Sequence, residues 1–274
     1  MRKIRNLLIA LLLVLFAVPM FAGCANGDGI PDNAIKITNA DELINAINNQ
    51  AENQYWVLNA GTYDIDPNAT TVEYSDQTGW YLPIVAKGIT IRGKGEVVLT
   101  STVESVNGAW ASQNFITIVA DNVTIIDVKV ICKKDVNKAV EILGKNATLK
   151  NVTFDAPEGF KFAGSIYLNQ QKGDAEADGD VGTLTLENVI LNKGRITASG
   201  AKQGKIVFNN VTIDWTDIEE DYLTLYAMYN FNGKDFEYEG AKTVKVKLSE
   251  TELGKNYQDA QEILIADVVI VNVD

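Results

Sequence analysis

Four copies of one short pattern constrain this chain more than any other feature. Asn122-Val-Thr-Ile-Ile-Asp127-Val-Lys-Val130 is followed by Asn146-Ala-Thr-Leu-Lys-Asn151-Val-Thr-Phe154. Thr183-Leu-Thr-Leu-Glu-Asn188-Val-Ile-Leu191 and Lys205-Ile-Val-Phe-Asn-Asn210-Val-Thr-Ile213 complete the set. Each copy is a β-branched strand, one Asn or Asp, and a second such strand. From Asp127 the pivot recurs at Asn151, Asn188 and Asn210, in steps of 24, 37 and 22 residues. Repeats of this length build a stack of supersecondary units. Period-2 alternation marks the strands, with Val123 and Ile125, then Val128 and Val130, facing one side. A lone Asn or Asp between strands suits a sharp bend, because it tolerates the left-handed region. Bent strands stacked about 4.8 Å apart pair in parallel with the layers above and below. Their pivots then align into a ladder of side-chain amides. No amphipathic helices separate the repeats, which excludes a doubly wound α/β sheet. The expectation is an all-β, right-handed, single-stranded parallel β-helix.

Around the repeats, Gly88-Ile-Thr-Ile-Arg-Gly93 reads as a further copy with Gly at the pivot. Asp41 to Ile47 forms the only good helical stretch, with Leu43, Ile44 and Ile47 on one face and Asn39 or Asp41 as its cap. It is expected to cover the open end of the first coil. The repeats, this helix and the strand Trp56-Val-Leu-Asn-Ala-Gly-Thr-Tyr63 together resemble the right-handed β-helix of the pectin-lyase-like superfamily. The resemblance spans roughly residues 35 to 274. It implies a helix-capped solenoid and leaves the activity open, since the family includes lyases, hydrolases and adhesins.

Residues 1–23 read as a signal peptide: Arg2, Lys3 and Arg5 head an apolar run, Leu7 to Met20, that is short for a spanning helix. Ala22-Gly23-Cys24 resembles a bacterial lipobox, with Phe21 in the place of the usual Leu. The resemblance implies lipid on Cys24 and attachment to the cell envelope, with the outer membrane or cell surface favoured because Ala25 follows the Cys. Residues 24–34, Gly-rich and polar, read as a tether, and 35–274 as the β-helix domain. Cys132 is then the one remaining cysteine, so no internal disulfide is available. The formal net charge is −12, and removing the three basic residues of 1–23 leaves −15. Such a field disfavours nucleic acid as a partner.

Histidine is absent, which excludes His-based zinc sites, triads and general bases. Beyond residue 23 the arginines are Arg92 and Arg195. Neither lies in a pattern like the Arg-x-Pro-x-x-Arg of the lyases this chain resembles, and the polygalacturonase-like acid set is missing too. Asp155 and Asp214 each follow a repeat's second strand and are the candidate carboxylate pair for a glycosidase, with Arg195 as a candidate base. Asp174, Glu176, Asp178 and Asp180 alternate with other residues in a Gly-rich run, a pattern that allows calcium; no other cofactor is expected. Trp80, Tyr81, Trp110 and Tyr229 are candidate ligand-binding aromatics, although the Tyr222–Tyr238 cluster also suits a hydrophobic plug at the end of a solenoid. The functional expectation is a non-catalytic envelope protein that binds a polysaccharide or another surface protein. The alternatives are a divergent polysaccharide lyase or glycoside hydrolase, and an envelope spacer.

Overall fold

The computed structural model describes residues 29–74, 77–103, 114–132, 138–155, 165–169, 178–215, 228–231, 233–240, 243–248 and 269–272. The chain divides into two units, Met1–Ala34 and Ile35–Asp274, and the second carries every element named below. Its described residues are mostly β, with one α-helix and two parallel sheets, an arrangement compatible with a parallel β-helix.

Strand β1 (Ile35–Ile37) leads into helix α1 (Ala40–Asn48). Asn39 is the cap: its side chain accepts from the Glu42 amide at 2.9 Å, and the Glu42 carboxylate accepts in return from Thr38 N at 2.7 Å. Leu43, Ile44, Ala46 and Ile47 bury the apolar face of α1 in the main core.

The first sheet grows from the repeats. Its described strands begin with β2 (Tyr55–Asp64), β4 (Thr90–Thr100), β6 (Thr124–Ile131) and β8 (Thr148–Asp155), each pairing in parallel with the next. Beyond β8 the pivot interrupts the ladder, and the sheet forks. Strands β10 (Asp180–Glu187) and β11 (Ile190–Asn192) flank Asn188 and both pair with β8. Strands β13 (Gln203–Asn209) and β14 (Val211–Trp215) flank Asn210, and β16 (Asp235–Gly240), β17 (Thr243–Leu248) and β18 (Val269–Asn272) extend the two branches. Inward residues stack in register: Trp56, Ile91, Ile125, Leu149, Leu186 and Phe208 form one column, and Tyr63, Leu99, Val130 and Phe154 another. These columns belong to one buried cluster, whose hydrophobic burial is the main source of stability.

The second sheet comes from the shorter segments between repeats. It runs β3 (Leu82–Ile84), β5 (Asn114–Ile118), β7 (Lys138–Ile142), β9 (Ile166–Leu168), β12 (Ile196–Thr197) and β15 (Met228–Tyr229), all parallel. Its inner column, Leu82, Ile116, Val140, Ile166, Ile196 and Met228, joins the same core.

The pivots behave as their chemistry dictates. Asp127, Asn151, Asn188 and Asn210 have φ of 57°, 52°, 52° and 57°. Asn151 Nδ2 donates to Asp127 Oδ1 at 2.6 Å, Asn188 Nδ2 to Asn151 Oδ1 at 2.8 Å, and Asn210 Nδ2 to Asn188 Oδ1 at 2.9 Å. A second, shorter ladder stands at the start of the repeats. Asn122 and Asn146 are left-handed (both φ 59°), and Asn146 Nδ2 donates to Asn122 Oδ1 at 3.1 Å. The Gly93 pivot is corrected. Gly93 is not left-handed; a Cβ there would lie 2.0 Å from the Asp127 carbonyl oxygen, so glycine is required by close backbone approach. The turn is made instead by a register shift between Arg92 and Val98 that holds Gly95 at φ 90°.

Asn188→Ala removes two ladder bonds and places a Cβ residue in left-handed geometry, so it is expected to cost about 2 kcal/mol in urea unfolding. Asn188→Gly removes only the bonds and should cost about 1 kcal/mol. Equal losses would show that the backbone geometry contributes nothing.

Candidate functional site

Alternation in the second sheet sets the site. Ile116 and Ile118, Val140 and Ile142, Ile166 and Leu168, and Ile196 and Ala198 belong to the core. The residues between them therefore point away from it. Register brings these into one row: Thr117, Glu141, Tyr167, Thr197 and Tyr229. An outward row on a parallel sheet would ordinarily be solvated if nothing covered it. Here Thr117, Glu141 and Thr197 are buried, at 1%, 5% and 3% exposure, while Tyr229 at one end is 41% exposed.

Glu141 is the centre of the row. Its Oε1 accepts from Lys138 Nζ at 2.9 Å and from Asn169 Nδ2 at 2.8 Å, and its Oε2 accepts from Asn114 Nδ2. A buried carboxylate is tolerated only when it is paired and hydrogen-bonded in this way. The network ties β5 and β7 to the residue that follows β9. Lys138 also sits over the Tyr167 ring, 5.2 Å from its centroid. At the open end the Arg195 guanidinium lies 4.5 Å from the centroid of the Tyr229 ring. The face thus carries a buried polar network and two tyrosine rings, of which Tyr229 is exposed.

Among the sequence candidates, Arg195 and Tyr229 belong to this face. Asp155 and Asp214 are on the first sheet. Phe154, Leu191 and Ile213 are in register, so Asp155 and Asp214 share a flank with β11 between them. Two strand spacings part their backbones by about 10 Å. Asp155 is paired with Lys129 Nζ at 3.0 Å. Asp178 and Asp180 both hold Lys145 Nζ, at 2.8 and 3.2 Å. That contact holds the Asp178 carboxyl below the usual carboxylate range. Among the described residues no group of three His, Cys, Asp or Glu side chains could hold a metal ion. Cys24, Trp110, Asp174 and Glu176 lie outside the described residues.

Two aromatic expectations are corrected. Trp80 and Tyr81 are 3% and 1% exposed and present no face to a ligand. Trp80 Nε1 donates to the Gln77 carbonyl at 3.1 Å, and Tyr81 stacks on Phe115 at 5.5 Å. Of the aromatic cluster, Phe231 is buried and Tyr238 stacks on Phe208 at 6.2 Å, across the paired strands β13 and β16. Tyr222 and Tyr226 lie outside the described residues. Cys132 is fully buried; desolvation, then Asp155, push its thiol far above the ordinary range, so it is no nucleophile.

Sequence reasoning missed Asn114, Lys138, Glu141, Tyr167 and Asn169. The available signal was Lys138-Ala-Val-Glu141, two opposite charges inside an apolar strand. No family model matches the chain, and comparison with the curated proteins returns no match.

Glu141→Leu leaves the buried Lys138 ammonium without its carboxylate and is expected to cost about 3 kcal/mol in denaturant unfolding. Glu141→Gln keeps hydrogen-bonding capacity and should cost less; the reverse order would refute the network. A thiol reagent such as Ellman's should react with Cys132 in the Cys24→Ser chain only on unfolding, and prompt labelling of the native protein would contradict its burial.

Proposed function

We propose that this chain is an exported bacterial lipoprotein, held at the cell envelope by lipid on Cys24, that binds a glycan without transforming it. In this reading the two parallel sheets are walls of a right-handed β-helix, α1 caps its first coil, and the ligand lies along the outward face of the second sheet. One observation carries the reading. The row from Thr117 to Tyr229 gathers polar and aromatic side chains that the core does not need and ends in an exposed tyrosine beneath Arg195. Sugars are recognised by this combination of ring stacking and hydrogen bonding.

The first sheet supports the choice of face by contrast. Its outward charges pair across neighbouring strands: Arg92 with Asp127 at 3.4 Å, Lys150 with Glu187 at 2.8 Å, and Lys205 with Glu239. Partly exposed pairs of this kind keep a sheet soluble and contribute little else. Catalysis is disfavoured because Glu141 already accepts three hydrogen bonds and Asp155 is paired with Lys129, so neither is a free base.

Two experiments test the two halves of the proposal. Cells given a labelled palmitate analogue should label the chain, and Cys24→Ser should abolish the label; an unlabelled native chain would remove the envelope anchor. The full chain, extracted in a zwitterionic detergent, should bind members of a glycan array with no release of products, including unsaturated uronates. Turnover would favour the lyase or hydrolase reading. Silence on the array would leave a protein partner or a spacer role.

A further inference from the structure

We infer that copies of this chain join head to tail, the free edge of β1 in one copy pairing with the free edge of β16 in the next. Such an assembly goes beyond the glycan reading and needs no ligand. Among the described strands β1 pairs with β2 alone, and β16 with β13 alone. Each therefore presents backbone N–H and C=O groups on one side, an edge that proteins ordinarily cover or blunt. Helix α1 leaves the β1 edge open. A cleft of about 270 Å³ lies between them, lined by Ile35, Lys36, Asn45, Ala46, Asn49 and Gln54 among others. Ile35 is in register with the buried Trp56 and so belongs to the inward column, yet it is 38% exposed, whereas Ile37 is 1% exposed. The column thus ends on an apolar side chain that nothing covers fully.

The β16 edge ends its branch in the same way. Ile206 of the core pairs with Tyr238, and Gly204 with Phe236, so both rings take the inward side, where they are only partly buried. Asp235, Glu237 and Glu239 alternate with them and are exposed. The two edges match in pattern and in charge. β1 reads apolar, basic, apolar at Ile35, Lys36 and Ile37; β16 reads aromatic, acidic, aromatic at Phe236, Glu237 and Tyr238. Laid side by side in that register, Ile35 meets Phe236, Ile37 meets Tyr238, and Lys36 meets Glu237. Glu239 already holds Lys205, but among the described residues no ion pair engages Lys36 or Glu237. Opposite charges facing each other on neighbouring strands favour pairing, and like charges oppose it. Two β1 edges meeting about a twofold axis would set Lys36 against Lys36, and two β16 edges would set acid against acid. The described pairs of the first sheet are all parallel, and a copy stacked in the same orientation offers β1 to β16 in that same sense. A contact between two different surfaces propagates into a filament or closes into a ring. With only three residues in β1 the contact is small, so association requires a high protein concentration.

The test is sedimentation velocity of the full chain in zwitterionic detergent over a rising concentration series. Species larger than a dimer should grow in as concentration rises. Lys36→Glu and Glu237→Lys should each weaken association by about fivefold to tenfold. Neither should lower the melting temperature, because both side chains are exposed. The chain carrying both substitutions should associate as the native chain does, since the pair is restored with its signs exchanged. A monomer at every concentration, or arrest at a dimer, would overturn the inference. Association that neither single substitution weakens would overturn it too, by assigning the contact to the lipid or to another face. Failure of the double substitution to restore association would break the link between these two residues and would likewise overturn it.

Discussion

The fold depends on a backbone conformation that most residues avoid. At each pivot the chain must turn through the left-handed region and resume as a strand with its apolar side chains still facing inward. Asparagine and aspartate make that turn cheaply. Their side chains then meet across layers, so the residue that permits the bend also bonds it to its neighbour. The spacing is self-consistent, since strands about 4.8 Å apart place the pivot side chains within hydrogen-bond reach. Once the pivots are aligned, the register of every following strand is set, and the inward columns stack like on like.

This explains why the first sheet was legible in the sequence and the second was not. Around Asp127, Asn151, Asn188 and Asn210 the alternation is regular and the pivot is a distinctive residue type. Between repeats the chain returns through short strands such as Ile196–Thr197, two residues long, whose period cannot be read. Their pairing is imposed by the layers of the first sheet, not by local pattern. The site shares that fate. Glu141 and Tyr167 are neighbours because β7 and β9 pair in register, although 26 positions part them along the chain. Arg195 and Tyr229 could be named from residue type alone, but not the contact between them. Trp80 and Tyr81 were named from residue type, which does not reveal that their rings fold inward. Gly93 was misread because glycine serves close approach as readily as a left-handed turn.

The two sheets divide the work. Among the described residues of the first, amide ladders and cross-strand ion pairs satisfy one another. The second is less complete. Its outward side holds a saturated carboxylate at the centre, aromatic rings toward one end, and buried hydroxyls without partners between them.

Hydrogen–deuterium exchange of the full chain with and without a saturating glycan from the array tests this account most directly. The account expects added protection in the strands of the second sheet, at residues 114–118, 138–142, 165–169, 195–197 and 228–229, with the repeats around Asn151 and Asn188 unchanged. Protection centred on the first sheet, or none in the presence of measured binding, would contradict it.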